Sequence, residues 1–459
     1  MKKSILWPFI FILVLFYSSV SLQAQEMVLG NVHVVDVASG EILEDHFIIL
    51  RDGVIMQVLP MNQLPNNGVG MNISDGGGAF VTPGLAEMHA HLPIAQDGQT
   101  QLQEETLWLY LSNGVLSIRS MLGHESHLNL KQKVISGEIP GPRMFISGPS
   151  LNGNSVGSPQ EGAQMVGSQK AAGYDHLKLH PGLDLPKFMA IAKTANAVGI
   201  PYGGHVSLDV GLENCLQNGY KSVEHMDGYL EAMIADKSSL DPNIAGPFSM
   251  LLVNKAEESK LPELIQMTLE NKTWIAPTLT LFDRYFGFVP ADSFRLAPEM
   301  KYLPGIQIQQ WVQQKKLLES KGVLTETNVQ PFLDFRNRLF LSLHSAGVPM
   351  LMSSDSPQVF NVPGFSIHHE MEMMSRAGMS NLEILRTGSI NPAAYFNQKG
   401  EWGEIKKGAS ADFILVEENP LENLATLKRP IKVVMNGVFY DRERLDLELA
   451  KIETNHLRK

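Results

Sequence analysis

Cysteine is nearly missing: Cys215 is the one thiol in 459 residues. An intramolecular disulfide framework is therefore excluded, and stability must come from core burial, with 44% hydrophobic residues to build it. Basic charge is also short. Lys and Arg number 37 against 48 Asp and Glu, a formal net charge of −11 that does not suit nucleic acid or an anionic lipid surface. Beyond the N-terminal 20 residues, no stretch is long and apolar enough to span a bilayer. Internal repeats and low-complexity segments are lacking too, which argues against solenoids and unstructured arms.

The N-terminus holds the one long apolar run. Lys2 and Lys3 precede apolar residues from Ile5 to Val20, and small residues follow near Ala24. This pattern predicts a secretory signal peptide over 1–24, cut near Ala24, although Leu22 is a poor residue just upstream of the cut. The alternative is an uncleaved anchor, against which stand the shortness of the run and its interruption by Pro8. No Cys lies at the junction to carry a lipid. The mature protein is thus expected to be periplasmic or secreted, with no stable membrane anchor, and loss of Lys2 and Lys3 takes its formal charge from −11 to −13.

Residues 25–79 read as short strands with turn signals at Ser39-Gly40 and Asp52-Gly53, the first part of a small β domain. From 80 to 395, strand-like and amphipathic helical segments alternate. Candidate strands are 79–85, 115–119, 143–147, 176–179, 201–204, 222–224, 273–276 and 348–352, with helices such as 160–172, 185–198, 212–218 and 262–269 between them. Eight strands alternating with helices predict an α/β fold, a (β/α)8 TIM barrel. The segment is longer than the roughly 250 residues typical of such a barrel, so insertions are expected. The plainest is 282–340, either a lid over the active face or a peripheral helical hairpin, in which IQIQQWVQQKKLLESKG reads as a helix ended by Gly322. Residues 396–459 add strands, including a hairpin signalled by Asn436-Gly437, expected to return to the N-terminal strands and complete a composite β-sandwich. A charged helix ends the chain.

The chemistry centres on FVTPGLAEMHAHL over 80–92. His89 and His91 are two residues apart, so on a strand both imidazoles face the same side. That is a metal-binding arrangement, though a pair of strand histidines is also ordinary polar surface. In a barrel, function gathers at the C-terminal ends of the strands. His89 and His91 end the first candidate strand, Lys178 the fourth, His205 the fifth and His225 the sixth, while Asp355 follows the eighth.

With these residues in order, the chain resembles the amidohydrolase superfamily in its imidazolonepropionase-like branch, which includes metal-dependent Xaa-Pro and Xaa-Arg dipeptidases and fungal ochratoxin-hydrolysing amidases. The matching stretches are TPGLAEMHAH at 82–91, GPRMFISG at 141–148, YDHLKLH at 174–180, GGHVS at 203–207, SVEHMDG at 222–228, SSDSP at 353–357 and GEIKKGASADFILV at 403–416. They cover nearly the whole mature chain. Two departures stand out: Arg119-Ser120-Met121 where relatives commonly carry an Arg-Asp pair, and His180 as an additional imidazole.

The resemblance implies two divalent metal ions, with zinc expected, although Mn²⁺ and Co²⁺ suit the same ligand types. It implies His89, His91 and Asp355 on the first metal, His205 and His225 on the second, and Lys178 bridging as a carbamate. A protonated ammonium has no lone pair, whereas a neutral amine that has taken up CO₂ offers two oxygens, and burial frees the amine by lowering its pKa. A lysine in a buried ion pair is the alternative. The implied reaction is hydrolysis of an amide bond, in a dipeptide or N-acyl amino acid, by a metal-bridging hydroxide, with Asp355 taking the proton and passing it to the departing amine.

Rival readings are a lactonase or carboxylesterase on the same site, an imidazolone ring hydrolase, and a non-catalytic binding protein. The signal sequence and Lys178 count against the second, and the complete ligand set against the third. The expected partner is a small-molecule or dipeptide substrate, and a homo-oligomer remains open. Tyr229 and His369 are candidate substrate-binding residues, His369 as one of the pair His368-His369. His124 and His127 are expected to be solvated surface, with a lid or a stray metal site as alternatives. The Met-rich stretch 371–379 is expected to be core packing.

Overall fold

A computed structural model describes residues 26–65, 71–95 and 98–457; the expected signal peptide lies outside the described residues. Four strands open the chain: β1 (Met27–Asp36), β2 (Glu41–Arg51), β3 (Val54–Pro60) and β4 (Ile73–Pro83). Three strands near the end, β12 (Phe413–Val416), β13 (Lys432–Met435) and β14 (Val438–Asp441), join them in one sheet of order β14-β13-β12-β4-β1-β2-β3. The composite β-sandwich expectation is corrected to this single seven-stranded sheet. Val32, Val34, Ile48, Val81, Phe413 and Val434 pack into its own core. The hairpin between β13 and β14 turns at Asn436 and Gly437, with φ of 51° and 76°, the left-handed pair that a two-residue turn of this hand requires.

Gly84 alone separates β4 from β5 (Leu85–Ala90), which starts a second architecture. The expected first barrel strand, 79–85, is thereby corrected: its residues 79–83 belong to the seven-stranded sheet, Leu85 begins a new strand, and the His-x-His pair lies at the end of that strand. A Cβ at Gly84 would come within 2.3 Å of Leu116 Cδ1, so only glycine fits where the chain passes from one sheet to the other. β5 pairs in parallel with β6 (Val115–Ser120), and β6 with β7 (Arg143–Ile146). A four-stranded parallel sheet follows, from β8 (Leu177–Leu179), β9 (Tyr202–Gly204), β10 (Ser222–Glu224) and β11 (Trp274–Ala276).

The strands of the expected eight-stranded barrel thus lie in two parallel sheets rather than in one closed sheet. The eighth expected strand, 348–352, is not a regular strand; it makes isolated bridges, Ile275 with Met350, and further on Ala90 with Ser356. Backbone bonds still hold this segment between β11 and β5: Leu351 N donates to Ile275 O at 2.8 Å, and His91 N to Ser356 O at 2.7 Å. On the other side no regular ladder joins β7 to β8 among the described residues; the chain beside them meets at the Ser147–His176 and Leu151–Leu179 bridges, and Asp175 N donates to Ile146 O at 2.8 Å. The fold is mixed α/β.

The 282–340 region contains the expected helix, Gly305–Ser320, followed by Gly322 at φ 67°. It also runs into the longer helix Glu326–Ser345, whose Arg336 reaches inward to the backbone beneath His225. Met371 and Met374 are buried, as core packing requires. Among the described residues no helix is long and apolar enough to cross a membrane. Replacing Gly84 by Ala is expected to lower stability by about 1–3 kcal/mol through overpacking against Leu116, read as a lower denaturant midpoint at unchanged slope.

Candidate functional site

β5 carries His89, fully buried, and His91 follows it on the same side. Their Nε2 atoms meet Asp355 Oδ1 at 3.6 Å and 2.7 Å. His89, His91 and Asp355 can each offer one ligand atom to a common point, all within 4.8 Å of one another. Lys178, at the middle of β8, brings Nζ to 3.4 Å from His89 Nε2. The rings of His89 and His225 lie 4.7 Å apart, those of His205 and His225 4.6 Å, and His225 Nε2 is 3.9 Å from Asp355 Oδ2. All six sequence candidates thus share one place, reached from strand ends far apart in the chain.

Hydrogen bonds from behind set the rings. His89 Nδ1 is 2.8 Å from Glu224 Oε2, His205 Nδ1 2.6 Å from Asp227 Oδ2, and His225 Nδ1 2.7 Å from Thr278 Oγ1. A carboxylate can only accept, so His89 and His205 carry their proton on Nδ1 and turn an Nε2 lone pair inward. Nothing in the sequence alone assigns a role to Glu224, Asp227 or Thr278. The first two flank His225 inside SVEHMDG, a visible signal, but their pairing with His89 and His205 exists only in three dimensions.

Deeper still, Arg119 is fully buried and donates from Nη2 to both oxygens of Glu224 at 2.9 Å. Its remaining donors reach Met88 O, Ser222 Oγ and Tyr395 Oη, so Arg119 supports the site from below. Arg336 donates to His225 O at 2.9 Å and Pro277 O at 3.2 Å, its guanidinium 3.2 Å above the Phe282 ring. It helps hold His225, Thr278 and their neighbours in the left-handed region, where φ is 61° at His225, 49° at Thr278 and, across the site, 60° at Asp355. Such conformations are costly for non-glycine residues and persist where surroundings impose them.

Burial keeps the donors free of protons. It is the main reason that His89 and His225 stay well below the usual imidazole range, with neighbouring positive groups adding to it, and that His205 is held at about 3. Burial also brings Lys178 down to about 8, against the pull of Glu224 and Asp355. Asp355 Oδ1 and His91 Nδ1 are buried and have no hydrogen-bond partner. Two imidazoles and a carboxylate therefore converge, with Asp355 Oδ1 left without a hydrogen bond, a donor set whose chemistry fits a divalent cation.

Other candidates fall elsewhere. Tyr229 is corrected: it is fully buried and its hydroxyl bonds Thr268 at 2.6 Å, within the core rather than facing a ligand. His369 is half-buried and bonds Glu299 at 3.2 Å; His368 is buried against Asn113 O. The expectation of solvated surface at His124 and His127 is also corrected. His124 Nδ1 accepts from Ser126 N, His127 Nδ1 accepts from His124 N, and together they cap the helix Glu125–Ile135. His127 is buried, which pulls it down to about 4.

The amidohydrolase family model matches residues 80–439. The chain belongs to the amidohydrolase family. Ochratoxinase from Aspergillus niger is 27% identical over 114 residues, a match covering 24% of this chain and 23% of that enzyme. Among solved structures, bottromycin amidohydrolase superposes with a TM-score of 0.70 at 21% identity, over 93% of this chain and 90% of its own. A Xaa-Pro dipeptidase with methionine in its active site gives 0.65 at 16%, over 91% and 100%. At such identities these likenesses describe the fold of the amidohydrolase.

Asp227→Asn should weaken zinc binding by about 10–100-fold, as loss of a carboxylate behind a ligating histidine does. Competition with a chromophoric chelator measures it, with circular dichroism to check the fold.

Proposed function

We propose that this amidohydrolase is an exported, binuclear metal-dependent enzyme that hydrolyses the amide bond of a dipeptide or an N-acyl amino acid. One observation carries the metal reading: His89, His91 and Asp355 each turn a potential ligand atom toward one buried point, all within 4.8 Å of one another, and Asp355 Oδ1 there has no hydrogen-bond partner. His205 and His225 would serve a second ion beside them. The amide preference rests on family membership and on the activities named for the dipeptidase and ochratoxinase. Export rests on the N-terminal sequence pattern.

Lys178 supports the bridging role. It is fully buried, and its ammonium makes no ion pair among the described residues; the one polar contact of Nζ is a histidine nitrogen. A buried ammonium without a carboxylate partner is costly, whereas a carbamate formed on the neutral amine would carry negative charge toward the cations. Bound divalent ions would supply the Lewis acidity that polarises a carbonyl and activates water. Asp355, at the mouth of the cluster and 6% exposed, takes the proton of the attacking water and delivers it to the departing nitrogen. Glu224, Asp227 and Thr278 keep the imidazoles in register throughout.

The parallel strands β5 to β11 together with residues 349–356 would form the (β/α)8 barrel, and residues 25–79 with 396–459 the composite β domain beside it.

A panel of Xaa-Pro and other dipeptides, N-acyl amino acids, lactones and aryl esters, offered to the zinc-supplemented protein in bicarbonate, tests the reading. Cleavage of dipeptides or N-acyl amino acids is expected; turnover of esters or lactones alone would replace the amidase reading with the lactonase one. Lys178→Ala is expected to lose most activity and bound metal, with partial rescue by short carboxylic acids. Full activity with two metals in that variant would defeat the carbamate.

A further inference from the structure

His180 is an imidazole beside the cluster that neither the ligand set nor the supporting bonds use. It follows β8 two residues after Lys178, and its ring lies 5.0 Å from that of His205, tilted by 34°. It is partly exposed, and its Nε2 makes no hydrogen bond among the described residues. Its Nδ1 is 2.6 Å from Ser150 Oγ.

The surrounding bonds decide which nitrogen carries the proton. Asn152 Oδ1 accepts from Asn154 N at 2.8 Å and Ser155 N at 3.0 Å, which fixes the amide so that Nδ2 is the group turned to Ser150. Asn152 Nδ2 donates to Ser150 Oγ at 3.1 Å. Among the described residues the Ser150 hydroxyl hydrogen then has one acceptor in reach, His180 Nδ1. A nitrogen that accepts leaves the other ring nitrogen protonated. The imidazole therefore presents an Nε2–H donor beside the metal-binding cluster, held by a relay on the loop after β7.

We propose that His180 is a catalytic hydrogen-bond donor whose Nε2–H holds the scissile carbonyl oxygen and stabilises the negative charge that develops on it, with Ser150 and Asn152 as positioning residues. The inference rests on the hydrolase reading above and extends it to this residue. As the water oxygen bonds to the carbonyl carbon, the π pair moves onto the carbonyl oxygen, where His180 donates without giving up its proton. When the C–N bond breaks, its electron pair leaves on nitrogen, which receives the proton carried by Asp355. A donor preorganised for the oxyanion lowers the barrier more than it strengthens ground-state binding.

The test combines 15N spectra of histidine-labelled protein with kinetics on whichever substrate class the wild type turns over. His180, assigned by the signal lost in His180→Gln, is expected to show a protonated Nε2 and an accepting Nδ1, and Ser150→Ala to disturb that state. His180→Ala is expected to lower kcat by about 10²–10³-fold with KM within about threefold and metal content unchanged; His180→Gln, which keeps an N–H donor, should recover part of the loss. A protonated Nδ1, an unchanged kcat, or metal loss in His180→Ala would each overturn the assignment. Wild-type turnover of esters alone would defeat the amide reading but leave this comparison intact, since ester attack forms the same oxyanion. Should the wild type turn over neither class, the hydrolase reading fails and the 15N spectrum alone decides the donor state.

Discussion

Three potential ligand atoms pointed at one another in a space nearly closed to solvent are the constraint around which the site is built. His89 Nε2, His91 Nε2 and Asp355 Oδ1 converge there, and low polarity makes any unbalanced charge among them count for more than it would in water. Burial, which holds His89 and His225 well below the usual imidazole range, favours their neutral, metal-binding form. The same burial acts on Lys178 in the same sense, lowering it to about 8 and so easing formation of the neutral amine.

Holding such an arrangement takes support from behind. Glu224 occupies the middle position: one oxygen faces His89 Nδ1 while the guanidinium of Arg119 neutralises the carboxylate beneath. Asp227 and Thr278 do the corresponding work for His205 and His225. Arg336, arriving from the helix Glu326–Ser345, ties the backbone carbonyls of His225 and Pro277. The long segment between β11 and residue 349 is thus tied structurally to the site, which neither a simple lid nor a peripheral hairpin describes.

How much of this was legible depends on whether the signal was local. Asn436-Gly437 announced its hairpin because the turn chemistry lies in the two residues themselves. The helix ending before Gly322 was visible for the same reason. The order of His89, His91, Lys178, His205, His225 and Asp355 along strand ends was readable because parallel α/β topology puts such ends on one side. The strand 79–85 was misplaced because alternation of apolar residues tells a strand's faces but not its sheet; Gly84, against Leu116, makes the division. Tyr229 drew attention by its nearness in sequence to His225, and only packing shows its hydroxyl committed to Thr268. His127 looked like surface because nothing local shows that a histidine will cap its own helix and be buried.

Anomalous diffraction at the zinc absorption edge, from crystals grown with zinc and bicarbonate, tests the proposal that cations lie among these groups and that a modified Lys178 joins them. Two anomalous peaks are expected, one beside His89, His91 and Asp355 and one beside His205 and His225, with added density on Lys178 Nζ. A bare Lys178 amine with no anomalous peak at the cluster would contradict it.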